Sequence, residues 1–220
     1  MKSSVIVFVC VIATFLFRNV AIAQIPVEAF LGNEKATIDI MFFKFFKNDG
    51  GQNSEWLFFN RNRASIDYTQ TTTERLPQFG FTEAISYNNS HFFGFAPVTV
   101  LSVLNRGVYP KAGIQYAKIT NDITVFAWSV VETTNDPYVD LFLLARYTPQ
   151  IVRSLHLFTQ IEFVNAFATN EVKTNSYVQR ARLGLKIKEF QFGLGADFSQ
   201  IGNNELTTTS NIGGFLRYEF

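Results

Sequence analysis

Two arginine pairs, Arg61-x-Arg63 and Arg180-x-Arg182, carry the most pointed chemistry in this sequence. A strand sends alternate side chains to opposite faces, so both members of each pair project the same way. Paired guanidinium forks suit carboxylate or phosphate groups. They belong to a wider set of ionisable residues at alternate positions of otherwise apolar stretches: Asp67, Lys111, Asp140, Arg146, Glu162, Lys186, Asp197, Arg217 and Glu219. Two readings of this set stand side by side. It lines a passage or small polar site that favours anions at the arginine pairs, or its members pair with one another and hold a filled interior rigid.

Other chemistry is sparse. Cys10 is the only cysteine, two histidines are too few for a His-based metal site, and the acidic residues are scattered. No metal and no cofactor is therefore expected. The charge balance has no basic excess of the kind that nucleic acid requires. Gly193-x-Gly195 lies within a strand pattern, where it relieves crowding and does not cradle phosphate.

The elements that must position these residues are strands. Over 176–188, Ala181, Leu183, Leu185 and Ile187 alternate with Arg180, Arg182, Gly184 and Lys186. After a turn at Lys188-Glu189, Phe190, Phe192, Leu194, Ala196 and Phe198 alternate with Gln191, Gly193, Gly195 and Asp197. Further strands are expected over 34–46, 55–68, 79–87, 91–104, 111–119, 123–132, 138–148 and 154–168. Turn residues such as Asn88-Asn89-Ser90 and Thr120-Asn121-Asp122 lie between them. Residues 24–32 are either a first short strand or a tail. On the 55–68 stretch, Asn60 and Asn62 are polar interruptions of the face carrying Ala64, Ile66 and Tyr68.

The chain ends in Thr209-Ser-Asn-Ile-Gly-Gly-Phe-Leu-Arg-Tyr-Glu-Phe220, an alternating strand that runs to its last residue. A free end usually frays, so an apolar strand kept to its final atom needs a reason. This stretch resembles the C-terminal signal of Gram-negative outer-membrane β-barrels, with Leu216, Tyr218 and Phe220 matching. That resemblance implies a last strand that closes a barrel and is read by the barrel-assembly machinery. The phenylalanine- and asparagine-rich style resembles proteins of Bacteroidota, and no narrower subfamily is implied.

The other end agrees. Met1-Lys2, the apolar stretch Val5 to Phe17 and Ala21-Ile22-Ala23 form a secretory signal peptide, expected to be cleaved after residue 23. Removing Lys2 and Arg18 leaves 17 basic against 18 acidic residues, and it removes Cys10. An exported chain without cysteine is not a disulfide-stapled scaffold. No later stretch is long and apolar enough for a membrane helix. Aromatics nevertheless make up 16% of the 220 residues, with 25 phenylalanines, more than a water-facing surface hides easily. A membrane chain without helices must be a closed barrel, because only closed sheets satisfy the backbone in lipid.

The expectation is thus all-β: 1–23 a signal peptide, and 24–220 one antiparallel, up-and-down transmembrane β-barrel of about 12 strands, with 10 as the alternative. An even number follows if both ends lie in the periplasm. The inward set (Arg61, Arg63, Asp67, Lys111, Asp140, Arg146, Glu162, Arg180, Arg182, Lys186, Asp197, Arg217) would line the lumen. Expected partners are outer-membrane lipid, the assembly machinery and small polar or anionic solutes. A passive channel comes first, and a closed structural or adhesive barrel second. A lipid hydrolase comes last, because His91 beside Ser90 and His156 near Ser154 lack the His-x-Ser-Asn setting of barrel hydrolases. No catalytic residue is assigned.

Overall fold

The computed structural model describes residues 25–68, 78–105, 107–134 and 136–220. The expected signal peptide and nearly all of the 69–78 loop lie outside the described residues. Strands follow one another along the chain: β1 (Pro26–Gly32), β2 (Lys35–Lys47), β3 (Asn53–Asp67), β4 (Gln78–Tyr87), β5 (Phe95–Leu104), β6 (Gly107–Ile119) and β7 (Ile123–Glu132). They continue with β8 (Tyr138–Tyr147), β9 (Gln150–Val152), β10 (Leu155–Ala168), β11 (Asn175–Ile187), β12 (Phe190–Gly202) and β13 (Leu206–Glu219). Each pairs antiparallel with its neighbour, and β1 pairs with β13 over Pro26↔Glu219 to Gly32↔Gly213. That last pairing closes a ring of twelve strands. β9 stands outside the ring, a three-residue piece that folds onto the start of β10. The even number is reached because residues 26–32 form a strand and not a tail.

Alternation decides what faces in. On β5, Ala96, Val98, Val100 and Ser102 are buried while Phe95, Pro97, Thr99 and Leu101 are exposed. The outer wall is an apolar band bordered by aromatic pairs. Trp56–Tyr87, Phe95–Tyr116 and Phe190–Tyr218 lie near the rim that holds Ile25 and Phe220 (the near rim), and Phe167–Tyr177 lies at the opposite, far rim. This is the surface that a bilayer solvates. Leu216, Tyr218 and Phe220 all face outward here, and the Phe220 ring packs edge-on against Tyr218 at 4.7 Å.

The seam is held by side chains as well as by the ladder. Asn211 Oδ1 accepts from the backbone amides of Glu34 (2.9 Å) and Lys35 (3.1 Å), and its Nδ2 donates to the Lys35 carbonyl at 3.0 Å. Asn33 Oδ1 accepts from the amide of Ile212 at 2.7 Å. The buried Asn211 and the exposed Asn33 thus satisfy the backbone where the β1–β2 turn meets β13.

Two local expectations are corrected. The strand expected from residue 91 begins only at Phe95, because Ser90–Phe92 is a short 3₁₀ turn and Phe93 (φ 54°) and Gly94 (φ 93°) follow in the left-handed region. The loop expected to run to Pro110 is shorter: β6 begins at Gly107, and Pro110 lies within it opposite Leu101.

The interior is mixed, not uniformly charged. On the β2–β8 side, Met41, Leu57, Phe59, Ala84, Val98, Val100, Phe126, Val130, Phe142 and Leu144 form a buried apolar cluster. Phe30, Phe158 and Phe215 form a smaller one on the other side. Phe30, Phe59, Phe126, Phe142, Phe158 and Phe215 therefore fill the lumen and do not face lipid, as a sheet curled to this diameter permits.

Candidate functional site

The inward ionisable residues form a belt across the lumen in which each carboxylate bridges at least two arginines. Asp39 on β2 accepts from Arg61 (3.1 and 2.5 Å) and from Arg63 (3.0 Å) on β3. Glu162 on β10 accepts from Arg61 at 2.8 Å and from Arg180 on β11. Asp197 on β12 binds Arg63 (2.8 Å) and Arg182 (2.7 Å), with Arg180 Nε at 3.7 Å. Glu28 on β1 accepts from Arg182 (2.9 Å) and from Arg217 (3.1 and 2.5 Å). The two arginine pairs are therefore brought together across carboxylates. β3 and β10 are six strands apart in a ring of twelve, so the Arg61–Glu162 contact spans the full diameter. At that level the waist is bridged by side chains.

Phenylalanines back the guanidinium groups: Arg182 lies 4.1 Å over the Phe30 ring and Arg217 4.8 Å over Phe158. Gly195 makes room for one of them. A Cβ at that position would stand 2.8 Å from Arg182 Cδ and 3.0 Å from Phe30 Cε2. The glycine expected to relieve crowding thus lets Arg182 reach both Glu28 and Asp197.

The remaining candidates lie beside the belt, whose Arg217 touches Gln160 and Gln191. Lys111 on β6 binds Asp140, with Glu132 at 3.5 Å. Lys186 binds Glu219 at 2.5 Å, and Gln191 donates to the same carboxylate at 2.6 Å. Arg146 donates to Gln160 at 3.0 Å, and its Nη2 has no partner. Asp67 lies on the wall of a cavity of about 640 Å³ at the far rim, with Lys35, Ser65, Ser199, Thr209 and Asn211 around it and Arg63, Arg180 and Asp197 among its lining residues. This cavity is a vestibule that ends on the belt. His91 sits in the exposed 88–94 turn, its ring bonded to Asn89 at 2.7 Å, while His156 projects into the lumen on β10, so the two histidines belong to different environments. Among the described residues, no group of acidic, histidine or cysteine side chains could hold a metal ion.

Sequence reasoning missed three of the carboxylates. Glu28 sits on a strand too short to show its period, behind Pro26. Asp39 alternates with Ile38 and Ile40, a signal that was present but not counted. Glu132 is the last residue of β7. With them included, the positive excess of the expected lumen set largely disappears.

No protein-family model and no curated protein sequence matches the chain. Among solved structures, it is similar to the NanC porin, with a TM-score of 0.51 at 9% identity over 90% of this chain and 98% of that one. A KdgM porin solved with disordered oligogalacturonate aligns over 90% of this chain and 99% of that one, at 12% identity and a TM-score of 0.44. The first likeness concerns the fold: a closed antiparallel barrel of porin type, whose apolar outer wall suits a membrane.

Proposed function

We propose that this protein is a narrow outer-membrane channel for small polar solutes, held closed at rest by the ion pairs of its waist. The observation that carries this reading is the vestibule, a polar cavity open at the far rim whose floor is the charged belt. A filled structural barrel has no need of an open polar chamber ending on charged side chains. For solutes to pass, Arg61 and Glu162 must part, and each has a second partner (Asp39 and Arg180) to retain when they do. Because the added carboxylates offset the arginines, selectivity between small anions and cations is weak, and the bias toward anions rests on Arg146. The chain is proposed to be exported through cleavage after residue 23 and placed in a Gram-negative outer membrane. Leu216, Tyr218 and Phe220 are then read by the assembly machinery, and the far rim faces outward. No catalytic role is proposed for His91 or His156.

A second reading, a sealed structural barrel, is favoured by the diametral Arg61–Glu162 contact. Planar-bilayer recording separates the two. The channel reading expects brief, small conductance steps from the refolded chain 24–220, with a reversal potential near zero across a salt gradient. A folded, heat-modifiable barrel that never conducts would establish the sealed one.

A further inference from the structure

The outer wall carries a polar track within its apolar band. Asn62 Nδ2 donates to Asn60 Oδ1 at 3.0 Å, and Asn60 Nδ2 lies 3.4 Å from Glu83 Oε1 across the β3–β4 pair. All three face away from the lumen, because their strand neighbours Arg61, Arg63, Thr82 and Ala84 occupy the inward positions. The track lies midway up the wall, between Trp56 toward the near rim and Ile66 toward the far rim. Glu83 is exposed, and among the described residues it is the one carboxylate on the outward face of the strands. Acyl chains offer neither donor nor counter-charge, so the exposed Glu83 carboxylate and the half-buried Asn62 carboxamide at this depth need protein against them.

We infer that the β3–β4 face is the interface between two copies of this chain in the membrane. Two features on this face point to a second copy as the occupant. A carboxamide both donates and accepts, so the half-buried Asn62 is self-complementary across a two-fold axis, the commonest symmetry of such pairs, while Asn60 is buried within the single chain and holds Asn62 and Glu83 in place. The opposite charge is also present: Lys44 is exposed on the same outer face, opposite Phe58, which in turn pairs with Ile85 two positions from Glu83. Its flexible four-carbon stem lets it reach Glu83 of the second copy across a two-fold axis parallel to the bilayer normal. The inference rests on the membrane reading of the wall, but not on whether the lumen conducts.

The test is cross-linking of Asn62→Cys protein in native-like membranes with a short bis-maleimide. A chain-sized dimer is expected from Asn62→Cys and not from Ile161→Cys on the opposite wall. In lipid nanodiscs the unmodified protein should have the mass of a dimer, and Asn60→Leu/Asn62→Leu/Glu83→Leu that of a monomer. A monomer in nanodiscs, or equal cross-linking at residues 62 and 161, would overturn the pairing. So would an Asn62→Cys adduct with a different protein. Recovery of the folded chain in the aqueous phase without detergent would instead defeat the membrane reading beneath it. Because the cross-link uses a single substitution, the test survives if the triple variant fails to fold.

Discussion

Glu162→Gln is expected to be the most destabilising single change in the lumen, at about 3–5 kcal/mol, because it strips two buried arginines of their shared counter-charge. Glu162 is almost fully buried, and its side chain holds Arg61 from across the barrel and Arg180 from the adjacent strand. Glutamine keeps the shape and one acceptor oxygen but loses the charge. The belt then carries Arg61, Arg63, Arg180, Arg182 and Arg217 against Glu28, Asp39 and Asp197 alone. Denaturant titration of the heat-modifiable form in lipid measures the loss. Glu219→Gln is the internal comparison and should cost less, since its partner Lys186 is about one-quarter exposed and solvent screens that pair. Equal losses at the two positions would mean that the belt is hydrated throughout.

Phe126→Ala is the second large effect, expected at about 3–5 kcal/mol because a fully buried ring is removed from a packed interior. Phe126 lies 4.8 Å from the ring of Phe43, stacks on Phe59 at 5.2 Å, and lies 5.5 Å from Trp128 and 6.0 Å from Phe142. These rings come from β2, β3, β7 and β8 and bridge the lumen much as the ion pairs do, so their loss loosens opposite walls together. The same denaturant titration reads it. Phe93→Ala, in the exposed near-rim turn, should stay within about 0.5 kcal/mol of the unsubstituted protein.

How much of this was legible in the sequence follows from the physics of alternation. In β11 to β13 every apolar side chain except Tyr177 and Phe215 is followed by a charged, polar or glycine residue, so period two is plain and the inward arginines could be named. The runs Met41-Phe42-Phe43 and Leu57-Phe58-Phe59 place apolar groups on both faces, and there the period vanishes. Whether Phe42 or Phe43 faces lipid depends on register with neighbouring strands, which is a property of the closed sheet and not of the run. That is why the aromatic filling of the lumen went unseen while the arginine pairs did not. The pairing partners were illegible for a related reason. Arg61 and Glu162 stand far apart in the chain, and only ring closure makes them neighbours. Glu28 needed β1 to exist before it could matter. By contrast, Asn60 and Asn62 stood out at once as polar residues on an apolar face, and the structure adds Glu83 to them.

The most direct test of the closed waist is single-channel recording of the protein beside its Arg61→Ala/Glu162→Ala variant. Removing both partners of the diametral pair leaves Arg180 its approach to Asp197 and leaves Asp39 its bond to Arg63. The expected result is a change from brief, small openings to long-lived and larger conductance steps in a barrel that still folds. Identical traces from the two proteins, whether both silent or both freely conducting, would contradict a waist closed by this pair.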